Sequence, residues 1–113
     1  MADCIFCKIV DGSIPSKKVY EDDKILAFCD LEPQAPVHVL VVPKQHICCA
    51  NEINESNAEI VAYIFTKIPE ITDKLGLDNG YRIVNNCGED GCQSVKHLHF
   101  HILGGKKLNG TMC

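Results

Sequence analysis

The stretch that most constrains the fold of this 113-residue chain is His97-Leu98-His99-Phe100-His101-Ile102. Polar and apolar residues alternate strictly over six positions. That is the period of a β-strand, whose side chains point to opposite faces in turn. The strand therefore has an imidazole face and a hydrocarbon face, and the hydrocarbon face needs a cover. Ile60, Ile64, Ile68, Ile71 and Leu75 supply one, an apolar stripe at helical spacing that Gly76 ends. Ser56 and Glu59 predict a capping box at the start of this helix. Pro69 predicts a bend in its last turns, because proline removes one hydrogen bond.

The remaining elements are shorter. Residues 4–10 predict a short helix ended by Asp11-Gly12, 19–21 and 25–29 a hairpin, and 37–42 a strand stopped by Pro43. Residues 81–85 predict a further strand, 87–93 a glycine-rich loop, and 97–103 the last strand. The expected class is α+β: a five-stranded antiparallel sheet with one long helix and a short N-terminal helix, in a single domain spanning 1–113.

Composition narrows the function. The chain carries 11 basic and 15 acidic residues, a formal charge of −4, with Arg82 as its one arginine. A long polyanion needs many cationic contacts, so nucleic acid is not an expected partner. A single phosphate remains possible, since backbone amides and neutral side chains can hold it. Apolar runs such as 39–42 are far too short to cross a membrane, and the first residues do not resemble a secretory signal. The expected location is cytoplasmic, with the nucleus open to so small a chain. Eight cysteines, two of them adjacent at 48 and 49, therefore read as thiols of a reducing compartment.

Spacing on the strand splits the histidines. His97 and His101 would stand about 13 Å apart along a strand, so three ligands to one zinc from this strand would be strained and two feasible. The preceding Gly88-Glu89-Asp90-Gly91-Cys92-Gln93-Ser94 can cradle a phosphate or be a plain turn. Cys4-Ile5-Phe6-Cys7 has the spacing of a zinc half-site; two core thiols or a redox pair are the other readings, the last disfavoured by the absence of a βαβ context.

These residues, taken together, resemble the histidine triad family. His97-Leu98-His99-Phe100-His101-Ile102-Leu103 matches its signature. Ile5-Phe6-Cys7-Lys8-Ile9, Tyr20-Glu21-Asp22-Asp23, Pro33-Gln34-Ala35-Pro36-Val37-His38, Val42-Pro43-Lys44-Gln45-His46, Gly91-Cys92-Gln93-Ser94 and Leu103-Gly104-Gly105 are similar to its nucleotide-binding, Hint-like branch. The resemblance covers the chain to about Gly105. It implies a nucleoside 5′-phosphoramidate hydrolase of the adenosine 5′-monophosphoramidase type, binding purine nucleoside monophosphates. It also implies a homodimer that extends the sheet across two copies.

Carried over residue by residue, the resemblance makes His99 the nucleophile, forming a nucleotidyl-histidine intermediate. His101 and His38 flank the phosphate and orient the nucleophile, and Ser94 contacts phosphate or leaving group. Asn86 and the loop residue Gln93 join the nucleotide site, Asp30 holds the ribose hydroxyls, and Ile5, Phe6, Ile9, Phe28 and Leu31 wall the base. It assigns a structural zinc to Cys4, Cys7, His46 and His97, and no organic cofactor. Read alone, Asn86 is equally a turn residue, Asp30 a turn acid, the apolar wall plain core, and His38 a structural histidine.

Neutral imidazole is a competent nucleophile near pH 7 provided its other nitrogen is held by an acceptor. The chain also departs from the branch. Cys92 stands where a second glycine is usual, which predicts a narrowed phosphate approach or a backbone displaced from positive φ. Lys96 replaces a common aromatic, and the tail 106–113 lacks the usual Trp-Pro ending. The rival function is a nucleotide-binding adaptor or sensor with weak turnover. A catalytic zinc on the histidine strand lacks a third nearby ligand there. A dinucleoside polyphosphate hydrolase fits the 91–94 loop less well.

Overall fold

The structure, a computed structural model, describes residues 4–112. Its elements in chain order are α1 (Ile5–Val10), β1 (Lys18–Glu21), β2 (Ile25–Cys29), β3 (Val37–Pro43), a 3-10 turn (Ala50–Glu52), α2 (Ala58–Lys74), β4 (Tyr81–Val84) and β5 (Phe100–Gly104). The strands form one antiparallel sheet in the order β1-β2-β3-β5-β4. The expected α+β architecture, with five strands, one long helix and a short N-terminal helix, is what the chain adopts.

Side-chain alternation builds two cores on this sheet. Ile25, Ala27, Val39, Val41, Phe100 and Ile102 face α2 and pack with Ile64, Ile68 and Ile71. Leu26, Phe28, Leu40 and Val42 face the other way and pack with Phe6 and Ile9 of α1. β2 and residues 39–42 of β3 are thus covered on both faces, which is why they read as unbroken apolar runs. Register then fixes the polar residues. Leu40 pairs with His101 and His38 with Leu103, so the His38 and His101 side chains are diagonal neighbours on the α1 side.

Asp22 ties the β1–β2 turn to α2. Its Oδ2 accepts hydroxyl hydrogens from Tyr20 at 2.8 Å and Tyr63 at 2.5 Å, and its Oδ1 accepts the Lys24 and Ile25 amides. Four donors outweigh the cost of partial burial and hold its carboxyl down at a pKa of about 2.

Several sequence expectations are corrected. The sheet ladder of the last strand starts at Phe100, not at His97. The Leu98 amide donates to the Ile47 carbonyl at 2.6 Å and the His97 amide to Val95 at 2.9 Å, so the chain leaves the ladder where the His97 ring turns toward the cysteine pair. The alternation still holds, because Leu98, Phe100 and Ile102 all lie in the core beneath α2. The Ser56–Glu59 capping box does not form. Asn57 is the cap residue and makes no side-chain cap bond. Asn54 organises the entry instead: its Oδ1 accepts from the Ser56 amide and hydroxyl, while Asn57 Oδ1 accepts the Asn54 amide at 2.8 Å. Asn54 thereby engages both the Ser56 amide and the Ser56 hydroxyl, the two groups the box would have used. α2 continues through Pro69 to Lys74, where Gly76, at φ +74°, follows its last turn. No disulfide forms among the described cysteines.

Truncating Ile68, 1% exposed between α2 and the sheet, removes the centre of the larger core. Ile68→Ala should cost about 3 kcal/mol, read as a lower urea midpoint at unchanged slope. Asn54→Ala should cost about 1 kcal/mol, whereas Ser56→Ala should cost under about 0.5 kcal/mol. The reverse ranking would restore the capping box.

Candidate functional site

A cavity of about 540 Å³ opens between α1, the 14–17 segment and the ends of β2, β3 and β5. Its size suits a small organic ligand. Phe6, Ile9 and Phe28, each 7% exposed or less, form its apolar floor. Ile5 and Leu31, 47% and 97% exposed, stand at its rim. Asp30, His38, Ser94, His99 and His101 supply its polar side. Ten residues singled out in the sequence thus line one cavity.

Two do not. The Gln93 side chain is committed to its own loop: Nε2 donates to the carbonyls of Cys48 and Val95, and Oε1 accepts the Gly88 amide at 3.0 Å. The Asn86 Nδ2 donates to the Gly91 carbonyl at 2.7 Å. Both brace the 86–94 loop that delivers Ser94. Gly91 is required there, since a Cβ on it would sit 2.5 Å from the Cys87 carbonyl oxygen. Cys92 keeps φ +59°, so the thiol does not displace the backbone from the left-handed region, and it does not line the cavity.

Backbone groups determine the protons on the imidazoles, because a carbonyl only accepts and an amide only donates. His99 Nδ1 lies 2.7 Å from the His97 carbonyl. Nδ1 therefore carries the hydrogen, and the neutral ring keeps a bare lone pair on Nε2. His38 Nδ1 accepts the Gln34 amide at 3.0 Å. Its Nε2–H then donates to His101 Nδ1 at 2.8 Å, with Asp30 Oδ2 at 3.4 Å. His101 is left with a hydrogen on Nε2. The row thus presents one bare nitrogen, at His99, and one donor, at His101, with ring centroids 5.0 Å apart.

Burial disfavours the charged forms of His38 and His101. Desolvation lowers the pKa of His38 against the raising influence of Asp30. Desolvation, reinforced by His99 and His38, lowers that of His101 to about 4. Asp30 Oδ1 also accepts the Glu32 amide at 2.8 Å, which orients the carboxylate at the cavity edge.

Behind the cavity lies a second cluster. The ligand atoms of Cys4, Cys7, His46 and His97 all fall within 4.8 Å of one another. His97 Nδ1 is 3.4 Å from Cys4 Sγ and 3.6 Å from Cys7 Sγ, and His46 Nδ1 is 3.2 Å from Cys7 Sγ. His97 Nε2 donates to the Pro43 carbonyl at 2.8 Å, so Nδ1 offers its lone pair to the cluster. Two cysteine sulfurs, two imidazoles and a second-sphere carbonyl fit a closed tetrahedral metal site. Asp30, His38 and His101 also stand close together. They do not fit a metal as they are protonated here, because both nitrogens of His38 are already engaged.

The sequence reading missed the backbone partners. Gln34, Pro43 and His97 act through main-chain atoms, which no side-chain pattern reveals. Asn85, whose Nδ2 donates to the His99 carbonyl at 2.8 Å, carried no signal beyond its place at the end of a strand.

Comparison with known proteins agrees with this geometry. Residues 11–108 match the HIT domain. A histidine triad protein from Clostridium difficile superposes with a TM-score of 0.95 at 54% identity, covering 98% of this chain and 97% of that one. A HIT family hydrolase from Legionella pneumophila Philadelphia 1 does so at 0.92 and 43%, covering 96% and 97%. A 14 kDa zinc-binding protein of Zea mays is 45% identical over 93% of this chain and 84% of its own length. The match over residues 11–108, the identity to these relatives and the shared fold lead to one conclusion: the chain belongs to the HIT domain family.

Proposed function

We propose that the chain is a nucleoside 5′-phosphoramidate hydrolase that acts on purine nucleotides of the AMP type through His99. The observation that carries this reading is the 2.7 Å bond from His99 Nδ1–H to the His97 carbonyl, which leaves Nε2 bare in a ring lining the cavity. His99 Nε2 attacks the α-phosphorus; the N–P bond to His99 forms as the P–N bond to the substrate amine breaks. Water then cleaves nucleotidyl-His99 and releases the nucleoside monophosphate. His101 Nε2–H donates to a phosphoryl oxygen or the leaving nitrogen, and His38 holds His101 in that tautomer. Ser94, at the mouth, adds a hydroxyl donor, and Asp30 receives the ribose hydroxyls. The base lies against Phe6, Ile9 and Phe28. Hydrolase and zinc-binding are words carried by the names of relatives, and both suit these two clusters.

Zinc in the Cys4–Cys7–His46–His97 cluster would have no open position and so would supply structure rather than chemistry. A second copy would join across β4, whose outer edge has no partner strand among the described residues. Light scattering should give twice the 12.5 kDa chain mass.

Turnover of adenosine 5′-phosphoramidate tests the reading. Wild type should release AMP, and His99→Ala should lose at least about 10³-fold in kcat while still binding AMP by calorimetry. An inert wild type that still binds AMP would favour the adaptor reading. Elemental analysis should find one zinc per chain, and Cys7→Ser should lose it.

Stability should depend on pH with a fixed sign. His101 titrates at about 4 when folded, against about 6.5 in an unfolded chain. The folded state therefore binds fewer protons between these values. Stability is full above about pH 6.5 and falls as the pH drops toward 4, and His101→Gln should flatten part of that loss in urea midpoints.

A further inference from the structure

The metal cluster and the cavity meet in one residue. The His97 ring closes the cysteine cluster, and the His97 carbonyl accepts the His99 Nδ1–H. His97 is 0% exposed and its Nε2 is held by the Pro43 carbonyl, so ring and carbonyl have little freedom to move separately. The same cluster grips α1 from the other end. Cys4 Sγ accepts the Cys7 amide at 3.3 Å and caps α1, so the two cysteines bracket Ile5-Phe6 along the chain. The Phe6 ring lies edge-on against His97 at 5.9 Å and against His99 at 5.1 Å. None of the four cluster residues lines the cavity.

We propose that the Cys4–Cys7–His46–His97 cluster is a positioning device for the nucleotide site: closing it seats Phe6 on the His99 ring and fixes His99 as the Nδ1–H tautomer, and opening it releases both. The proposal rests on the reading of His99 as the nucleophile facing a nucleotide. His97 is the positioning residue that links the two sites, through its ring on one side and its carbonyl on the other. Metal loss is then a loss of preorganisation at the cavity as well as of stability, and coupling of this kind is reciprocal.

The test uses protein labelled with ¹⁵N at histidine, loaded with zinc or treated with a chelator at constant pH. In the loaded protein, His99 should show a single Nδ1–H tautomer. After chelation its two nitrogens should move toward averaged shifts, and AMP affinity should fall about tenfold. An unchanged His99 pattern with unchanged AMP affinity overturns the proposal. Should circular dichroism show that chelation unfolds the chain, the decision passes to folded protein carrying cobalt(II) in place of zinc. Saturating AMP should then shift the cobalt visible bands, and bands that stay fixed overturn the coupling. A wild type that binds no AMP sinks the nucleotide reading instead, and the His99 tautomer alone then decides whether the cluster positions the ring.

Discussion

Burying uncharged imidazoles within an apolar sheet is the constraint on which the site depends. A buried polar ring without a partner costs about 1–3 kcal/mol, so each one here is tied to the main chain or to another ring. The Pro43 carbonyl holds His97, the His97 carbonyl holds His99, and the Gln34 amide holds His38, which holds His101. Because backbone groups have fixed polarity, this chain of bonds also dictates which nitrogen carries each hydrogen. Packing and protonation are settled by the same contacts.

Charge has a small part in this arrangement. The cavity is lined by three imidazoles, two serines, two carboxylates (Asp30 and Glu32) and one cation, Lys17, in a chain of net charge −4. In the proposed chemistry, recognition of a phosphate then falls to oriented donors rather than to a cationic patch. That arrangement favours one small, well-placed phosphoryl group over an extended polyanion.

Much of the fold was legible because its signals are periodic. The 97–102 alternation, the isoleucine stripe of α2 and the unbroken apolar run of β3 each reflect repeated burial on defined faces. The cysteine pair was legible from spacing alone as a half-site, while His46 and His97 came only from family order. The N-terminus of α2 was misread because Asn54 competes locally with the Ser56–Glu59 pattern, and both have the composition of a cap. The start of β5 was misread because the distant Cys4–Cys7 pair draws the His97 ring out of the ladder. The resemblance assigns Gln93 and Asn86 to the nucleotide site, and nothing in their side-chain pattern signals that their amides brace the 86–94 loop.

The strand order has a consequence for biosynthesis. β5, near the end of the chain, lies between β3 and β4 in the sheet. Until it emerges, β3 and β4 have no shared neighbour and the Leu98, Phe100 and Ile102 part of the core is missing. An incomplete nascent chain can make the β1–β2–β3 meander but not the finished sheet. His99 and His101 arrive with the strand that completes it. A ribosome-bound fragment therefore never displays the histidine row on an unfinished scaffold, and gaining the row coincides with completing the fold.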